Sequence, residues 1–169
     1  MIPYLIDGAR ILEKGGVDFG ILPCNTLHKY INNIRESVKF PFISILEEVV
    51  SFLNLNNIKN VGILATETTI QSKIYEDILL KNSINVIYPN KTEQEIINNI
   101  IIKLLNGEKE DSYTKNIEII CNSLNKKGAE NILLACTDLQ LVIENVDKSI
   151  SIIDTTDILI RASVRELLK

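Results

Sequence analysis

Two segments of this 169-residue chain nearly repeat each other. Gly16–Thr26 reads GVDFGILPCNT and Gly128–Asp138 reads GAENILLACTD; they align without a gap at a shift of 112 residues, which superposes Cys24 on Cys136. In each copy a Gly breaks a helix, an apolar run makes one buried strand, and a Cys sits where the strand ends. Small hydrogen-bonding residues come next, Asn25 and Thr26 in one copy, Thr137 and Asp138 in the other. A strand that is apolar throughout must be covered on both faces, and that condition is met in parallel sheets flanked by helices.

The rest of the chain reads the same way. Helical spacing predicts helices over Ile2–Lys14, Thr26–Val38, Leu46–Leu55, Thr68–Asn82, Thr92–Leu105, from Asp111 or Ser112 to Lys127, and Thr156–Leu168. Thr92 reads as an N-cap, with Glu95 completing a capping box. Strands are expected at Phe19–Leu22, Phe40–Ile43, Val61–Ala65, Asn85–Tyr88, Asn131–Ala135 and Ser151–Ile153. Pro41-Phe-Ile-Ser44 answers Ser151-Ile-Ile-Asp154, each a strand leading into a helix, so the duplication extends past the cysteines. The expected fold is therefore α/β, with parallel sheets in two pseudo-symmetric lobes. Residues 1–56 would form the first lobe, with the C-terminal helix 156–169 packing back on it, and 57–155 the second, the polar run Asn54–Asn57 separating them. The lobes are unequal: 75 residues separate Val61 from Cys136, but only 23 precede Cys24. The first lobe is expected to be incomplete, which leaves a sheet edge and a helix face that a homodimer or higher oligomer would cover.

Composition narrows the partners. Twenty-two acidic residues against 18 Lys and Arg give a net charge of −4, unlike a nucleic-acid surface. No apolar run approaches the ~20 residues of a membrane span, and Met1–Leu12, with Pro3, Asp7 and Arg10, lacks the apolar stretch of a signal peptide. Three cysteines without CxxC spacing or a second His argue against disulfides and metal, and free thiols fit a cytoplasmic setting. Cys121, beside Ile119, Ile120 and Leu124, reads as core.

Ligands of parallel α/β sheets bind beyond the carboxyl ends of the strands, where both Cys24 and Cys136 fall, each ahead of a helix start. A helix N-terminus stabilises a thiolate, so both thiols are expected to be pulled toward neutrality. Two sulfurs facing one cleft suit removing a proton from one face of a carbon and returning one to the other. The amides of Asn25, Thr26, Thr137 and Asp138 offer an anion site for a substrate carboxylate, and Thr66, Thr68 and Thr69 bring hydroxyls to the same edge. His28, four residues after Cys24, reads as a site-lining residue; Asp138 reads as a cap, an acid or a tuner of Cys136.

At PCNTLH (Pro23–His28) and LLACTDL (Leu133–Leu139) the sequence resembles the aspartate/glutamate racemase family, enzymes that use two cysteines and no pyridoxal phosphate. VGILATETT (Val61–Thr69) and IIDTTDILIRASV (Ile152–Val164) resemble further segments of that family, and Pro23 with His28 favours the aspartate racemase branch. The resemblance implies catalytic Cys24 and Cys136, acting on an acidic amino acid without a cofactor. It also implies a pocket lined by Asn25, Thr26, Thr66, Thr69 and Thr137, and a substrate-contacting Lys that is either Lys103 or Lys109, on either side of Gly107. The strand and GGMGP-like loop with which such proteins begin have no counterpart here, which reads as an N-terminal truncation. Two alternatives stay open: a related isomerase or hydantoin racemase, and an inactive homologue that serves as a binding or interaction protein.

Overall fold

A computed structural model describes residues 1–169. Helix α1 (Ile2–Lys14) carries Pro3 in its first turn, where a missing N–H costs nothing, and ends at Gly15–Gly16. Gly16 has φ +73° and its repeat counterpart Gly128 has φ +103°, so each copy uses Gly to leave a helix through left-handed backbone. Strand β1 (Gly20–Ile21) follows, then a 3-10 turn at Thr26–Tyr30, α2 (Ile31–Ser37), β2 (Phe42–Ile43) and α3 (Ile45–Leu55). The second half runs β3 (Asn60–Ala65), α4 (Glu67–Gln71), α5 (Ile74–Lys81), β4 (Asn85–Ile87), α6 (Lys91–Leu105) and α7 (Asp111–Lys126). It continues through β5 (Asn131–Ala135), a 3-10 turn at Thr137–Leu139, α8 (Gln140–Ile143), β6 (Ile152–Asp154) and α9 (Thr155–Leu167).

All strand pairs are parallel. One sheet holds β1 and β2; the other has the order β4-β3-β5-β6. The duplication is visible in the register. Gly20 faces Phe42 and Ile21 faces Ile43, as Ile132 faces Ile152 and Leu133 faces Ile153. β1–β2 is thus the counterpart of β5–β6. The flank of β5 is occupied by β3, whereas the same flank of β1 carries no strand. Tyr4, Leu5, Leu12 and Ile21 line an apolar cleft of about 350 Å³ beside α1 and β1.

The four-stranded sheet is covered on both faces. Ile132 and Leu134 point into one core with α6 and α7 residues such as Ile97, Ile117 and Leu124. Leu133 and Ala135 point into the other, with Ile45, Val49 and Leu53 of α3, Tyr75 and Leu79 of α5, and Ile158 and Leu159 of α9. The break near Asn54–Asn57 does fall between α3 and β3, but packing crosses it: α3 buries its apolar face against the second sheet. α9 lies on α3, with Arg165 donating to Glu48 at 2.8 Å.

Three local expectations are corrected. The helix expected over Thr26–Val38 starts as a 3-10 turn, because Thr26 and His28 are engaged in long-range contacts described below. The helix expected over Thr68–Asn82 is two helices, broken where Lys73 adopts φ +56°. The capping box of α6 is formed by Asn90 and Glu93 rather than Thr92 and Glu95, since Asn90 already has the extended backbone an N-cap needs.

Candidate active site

The loops at the carboxyl ends of β1, β3, β5 and β6 are tied together by side-chain hydrogen bonds. Thr26 Oγ1 lies 3.1 Å from Thr66 Oγ1 and 2.8 Å from Thr69 Oγ1, and those two are 2.9 Å apart. Three hydroxyls in a closed ring satisfy one another, each donating once. Any of them can redirect its hydrogen to a bound carboxylate. Thr66 Oγ1 also accepts from the Thr69 amide and so caps α4.

Asn25 sits deeper, 2% exposed. Its amide donates to Thr155 Oγ1 at 3.1 Å, and its carbonyl oxygen accepts from the Tyr75 hydroxyl. Thr155 in turn donates to the Leu134 carbonyl at 2.8 Å. A continuous set of bonds therefore runs from the residue after Cys24 to the strand that ends in Cys136. Tyr75 is completely buried, and burial holds its hydroxyl far above the usual range, so it stays a neutral donor. The side chain of Asn25 is thereby occupied and offers no free group to a substrate. Neither Tyr75 nor Thr155 was singled out from the sequence. Thr155 had a signal, a small hydroxyl residue directly after a strand, but Tyr75 reads only as a core residue of a helix.

The two thiols differ. Cys24 is partly exposed, whereas Cys136 is 5% exposed. Burial pushes the Cys136 thiol up to about 11, against hydrogen bonds from the Asp138 and Leu139 amides that favour the thiolate. Its Sγ lies 3.7 Å from Asp138 Oδ2, an acceptor for the thiol proton. The expected lowering by a helix start is overturned for Cys136. The segment that follows is a three-residue 3-10 turn and a four-residue helix, too short to build a strong N-terminal potential, and desolvation wins.

Cys121 lies in the core, and burial raises its thiol to about 12. Both buried thiols hold their protons after an unfolded chain has begun to release its own, so folding stability is complete below about pH 9 and falls as pH rises. At pH 10.5 the loss is expected to be about 2 kcal/mol for each thiol. Urea denaturation at pH 8 and 10.5 measures it. Cys121→Ala is expected to remove its own share of that loss, about 2 kcal/mol at pH 10.5, and an unchanged slope in that variant would contradict this assignment.

Other expected site residues are placed differently. Both ring nitrogens of His28 are bound to backbone and the residue is 1% exposed, so it offers no nitrogen to a substrate. Thr68 is exposed on a groove with Asn98 and Ile102, outside the hydroxyl ring. Thr137 is partly buried at the strand-end turn. Lys103 pairs with Glu108 and Glu110 near the C-terminal end of α6. That end lies on the carboxyl side of the sheet: Ile101, Ile102 and Leu105 line a groove with Thr66 and Thr68, and the short linker holding Lys109 leads into α7, whose Thr114 donates to the Val142 carbonyl beyond Cys136. A cleft of about 320 Å³ lies beside the site, lined by His28, Lys29, Ser44, Asp77 and Lys81; neither sulfur lines it.

Comparison with known proteins finds relatives over almost the whole chain. The family model described as Asp/Glu/Hydantoin racemase matches residues 2–163. The broad specificity amino-acid racemase RacX of Bacillus subtilis is 34% identical over 163 residues, covering 95% of this chain and 69% of that protein. An aspartate racemase homologue from Pyrococcus horikoshii superposes with a TM-score of 0.86 at 27% identity, over 99% of this chain and 74% of its own. The Picrophilus torridus aspartate racemase gives 0.79 at 26%, over 92% and 64%. The chain described here belongs to the Asp/Glu/hydantoin racemase family.

Proposed function

We propose that this chain racemises an amino acid by two-base proton transfer between Cys24 and Cys136. The observation that carries the reading is the Asn25–Thr155–Leu134 connection, which fastens the turn holding Cys24 to the strand that ends in Cys136. In one direction the Cys24 thiolate takes the α-hydrogen while the Cys136 thiol delivers its proton to the opposite face. The carbon gains one proton for the one it loses, and the two sulfurs exchange states. In the reverse direction the Cys136 thiolate abstracts; the Asp138 and Leu139 amides favour that thiolate, while burial and the Asp138 carboxylate oppose it. The α-carboxylate would rest on the Thr26–Thr66–Thr69 hydroxyls and the neighbouring turn amides, which stabilise the charge that develops as the carbon acid ionises. The step balances with the two sulfurs alone and calls on no cofactor.

The resemblance to aspartate racemases makes aspartate the first substrate to test, with glutamate beside it. The likeness to a broad specificity racemase extends the proposal to neutral and basic side chains. The test incubates the protein with single L-amino acids, acidic, neutral and basic, in deuterated water. Nuclear magnetic resonance then follows the α-hydrogen, and a chiral separation follows the D-enantiomer. Inversion with α-deuteration of at least one of them is expected; neither with any of them overturns the proposal and leaves a protein that binds without turnover.

A further inference from the structure

His28 is the most constrained polar side chain near the cysteines. Its Nε2 lies 3.0 Å from the Ile45 amide, and a backbone N–H can only donate, so Nε2 accepts and carries no hydrogen. The ring proton therefore sits on Nδ1, which donates to the Cys24 carbonyl at 2.9 Å. One neutral tautomer satisfies both contacts, and the imidazolium satisfies only one. Burial and the nearby Arg35 of α2 disfavour the charged ring, while the Cys24 carbonyl and Glu47 of α3 favour it; burial is the largest effect, and the balance lowers the pKa. Arg35 and Glu47 are themselves paired at 2.6 Å, which blunts both of their fields. Lys29, Lys81 and Asp77 line the cleft on which the ring also borders.

What the ring joins matters more than its charge. Ile45 is the first residue of α3, and α3 is anchored by Val49 and Leu53 in the core shared with Leu133 and Ala135 of β5. Cys136 is the next residue after Ala135. The imidazole is thus a rigid bridge from the backbone of one cysteine to a helix seated on the strand of the other.

We propose that His28 is a positioning residue: a permanently neutral clamp that fixes where Cys24 stands relative to Cys136, and not an acid, base or substrate ligand. The inference deepens the two-cysteine reading and rests on it for the catalytic consequence. The clamp itself is read out separately, through the reactivity of Cys24. A misplacement of about 1 Å between reacting groups is enough to cost about 100-fold in rate.

His28→Leu keeps the volume and removes both bonds. His28→Gln keeps a donor and an acceptor flanking one carbon, as Nδ1–Cε1–Nε2 does. Site-resolved alkylation with iodoacetamide is expected to change at Cys24 by at least about tenfold in His28→Leu, to stay within about threefold of wild type in His28→Gln, and to be unaffected at Cys136 in both. The turnover number is expected to follow the Cys24 pattern, with KM nearly constant and with the pH profile of His28→Gln matching wild type. Unchanged Cys24 alkylation in His28→Leu overturns the clamp, as does a Gln variant no better than Leu. If no variant or wild type racemises, while Cys24 alkylation still follows the expected order, the clamp stands and the racemase reading fails. Should His28→Leu not fold, nitrogen-15 correlation of the wild-type imidazole decides: an Nδ1–H tautomer unchanged from pH 5 to 8 is expected, and an Nε2–H or doubly protonated ring overturns the proposal.

Discussion

Cys24→Ala and Cys136→Ala are each expected to lose inversion in both directions, by about 1000-fold or more, a loss in the range typical of removing a positioned acid or base. Inversion needs a base on one face of the α-carbon and an acid on the other, and each variant keeps only one sulfur. The variants should nevertheless differ in a way that total inactivation would hide. A remaining thiol can remove the α-hydrogen of the enantiomer that presents it, exchange with solvent, and return deuterium to the same face. Cys24→Ala is therefore expected to exchange the α-hydrogen of one enantiomer with retention, and Cys136→Ala that of the other. The partner thiol should also show in the pH dependence. Because burial and the Asp138 carboxylate hold Cys136 protonated up to about pH 11, the direction in which it donates needs no preparation, whereas the direction in which it abstracts starts from a disfavoured thiolate. Asp138→Asn, which removes the charge opposing that thiolate, is expected to speed the second direction relative to the first within a single turnover, measured by following each enantiomer separately. Either cysteine variant still inverting at the wild-type rate, or both exchanging the same enantiomer, would refute the two-base assignment.

Much of the fold was legible because the duplication is carried by residue types whose role is local. Gly16 and Gly128 both leave helices at positive φ, and the apolar runs after them both become parallel strands with matched register. The chemistry of the strand ends was less legible, because it depends on what surrounds a side chain rather than on its neighbours in sequence. Cys136 follows the same pattern as Cys24, yet burial controls it and the helix that should have activated it is a single turn. His28 lies one helical turn after Cys24 in sequence, which suggested that it shared the site. Its place is decided by the Ile45 amide 17 residues later, which no local spacing encodes. Lys103, close to a glycine that the resemblance marks, is paired with Glu108 and Glu110, while Leu105 at the end of the same helix borders the Thr66 groove.

Tyr75→Phe is expected to destabilise the fold by about 1–3 kcal/mol, the cost of leaving a buried hydrogen-bonding group without its partner. The cost follows from where the hydroxyl goes. Tyr75 is buried on α5, Asn25 is buried at the end of the β1 segment, and Thr155 opens α9, so one amide holds together three elements from distant parts of the chain. Removing the phenol oxygen deprives the Asn25 carbonyl of its donor, because the one hydroxyl hydrogen of Thr155 already goes to the Leu134 carbonyl. Asn25→Ala removes the centre and strands both partners, with an expected cost of about 2–4 kcal/mol. If the three groups act as a unit, Tyr75→Phe made in an Asn25→Ala background should cost much less than it does alone, giving a coupling of about 1 kcal/mol or more. Urea denaturation of the four proteins in that cycle provides the measurement. Additive losses would mean that the phenol oxygen acts independently of Asn25, and the tie between the Cys24 turn and the second sheet would then rest on the threonine hydroxyls and the His28 bridge alone.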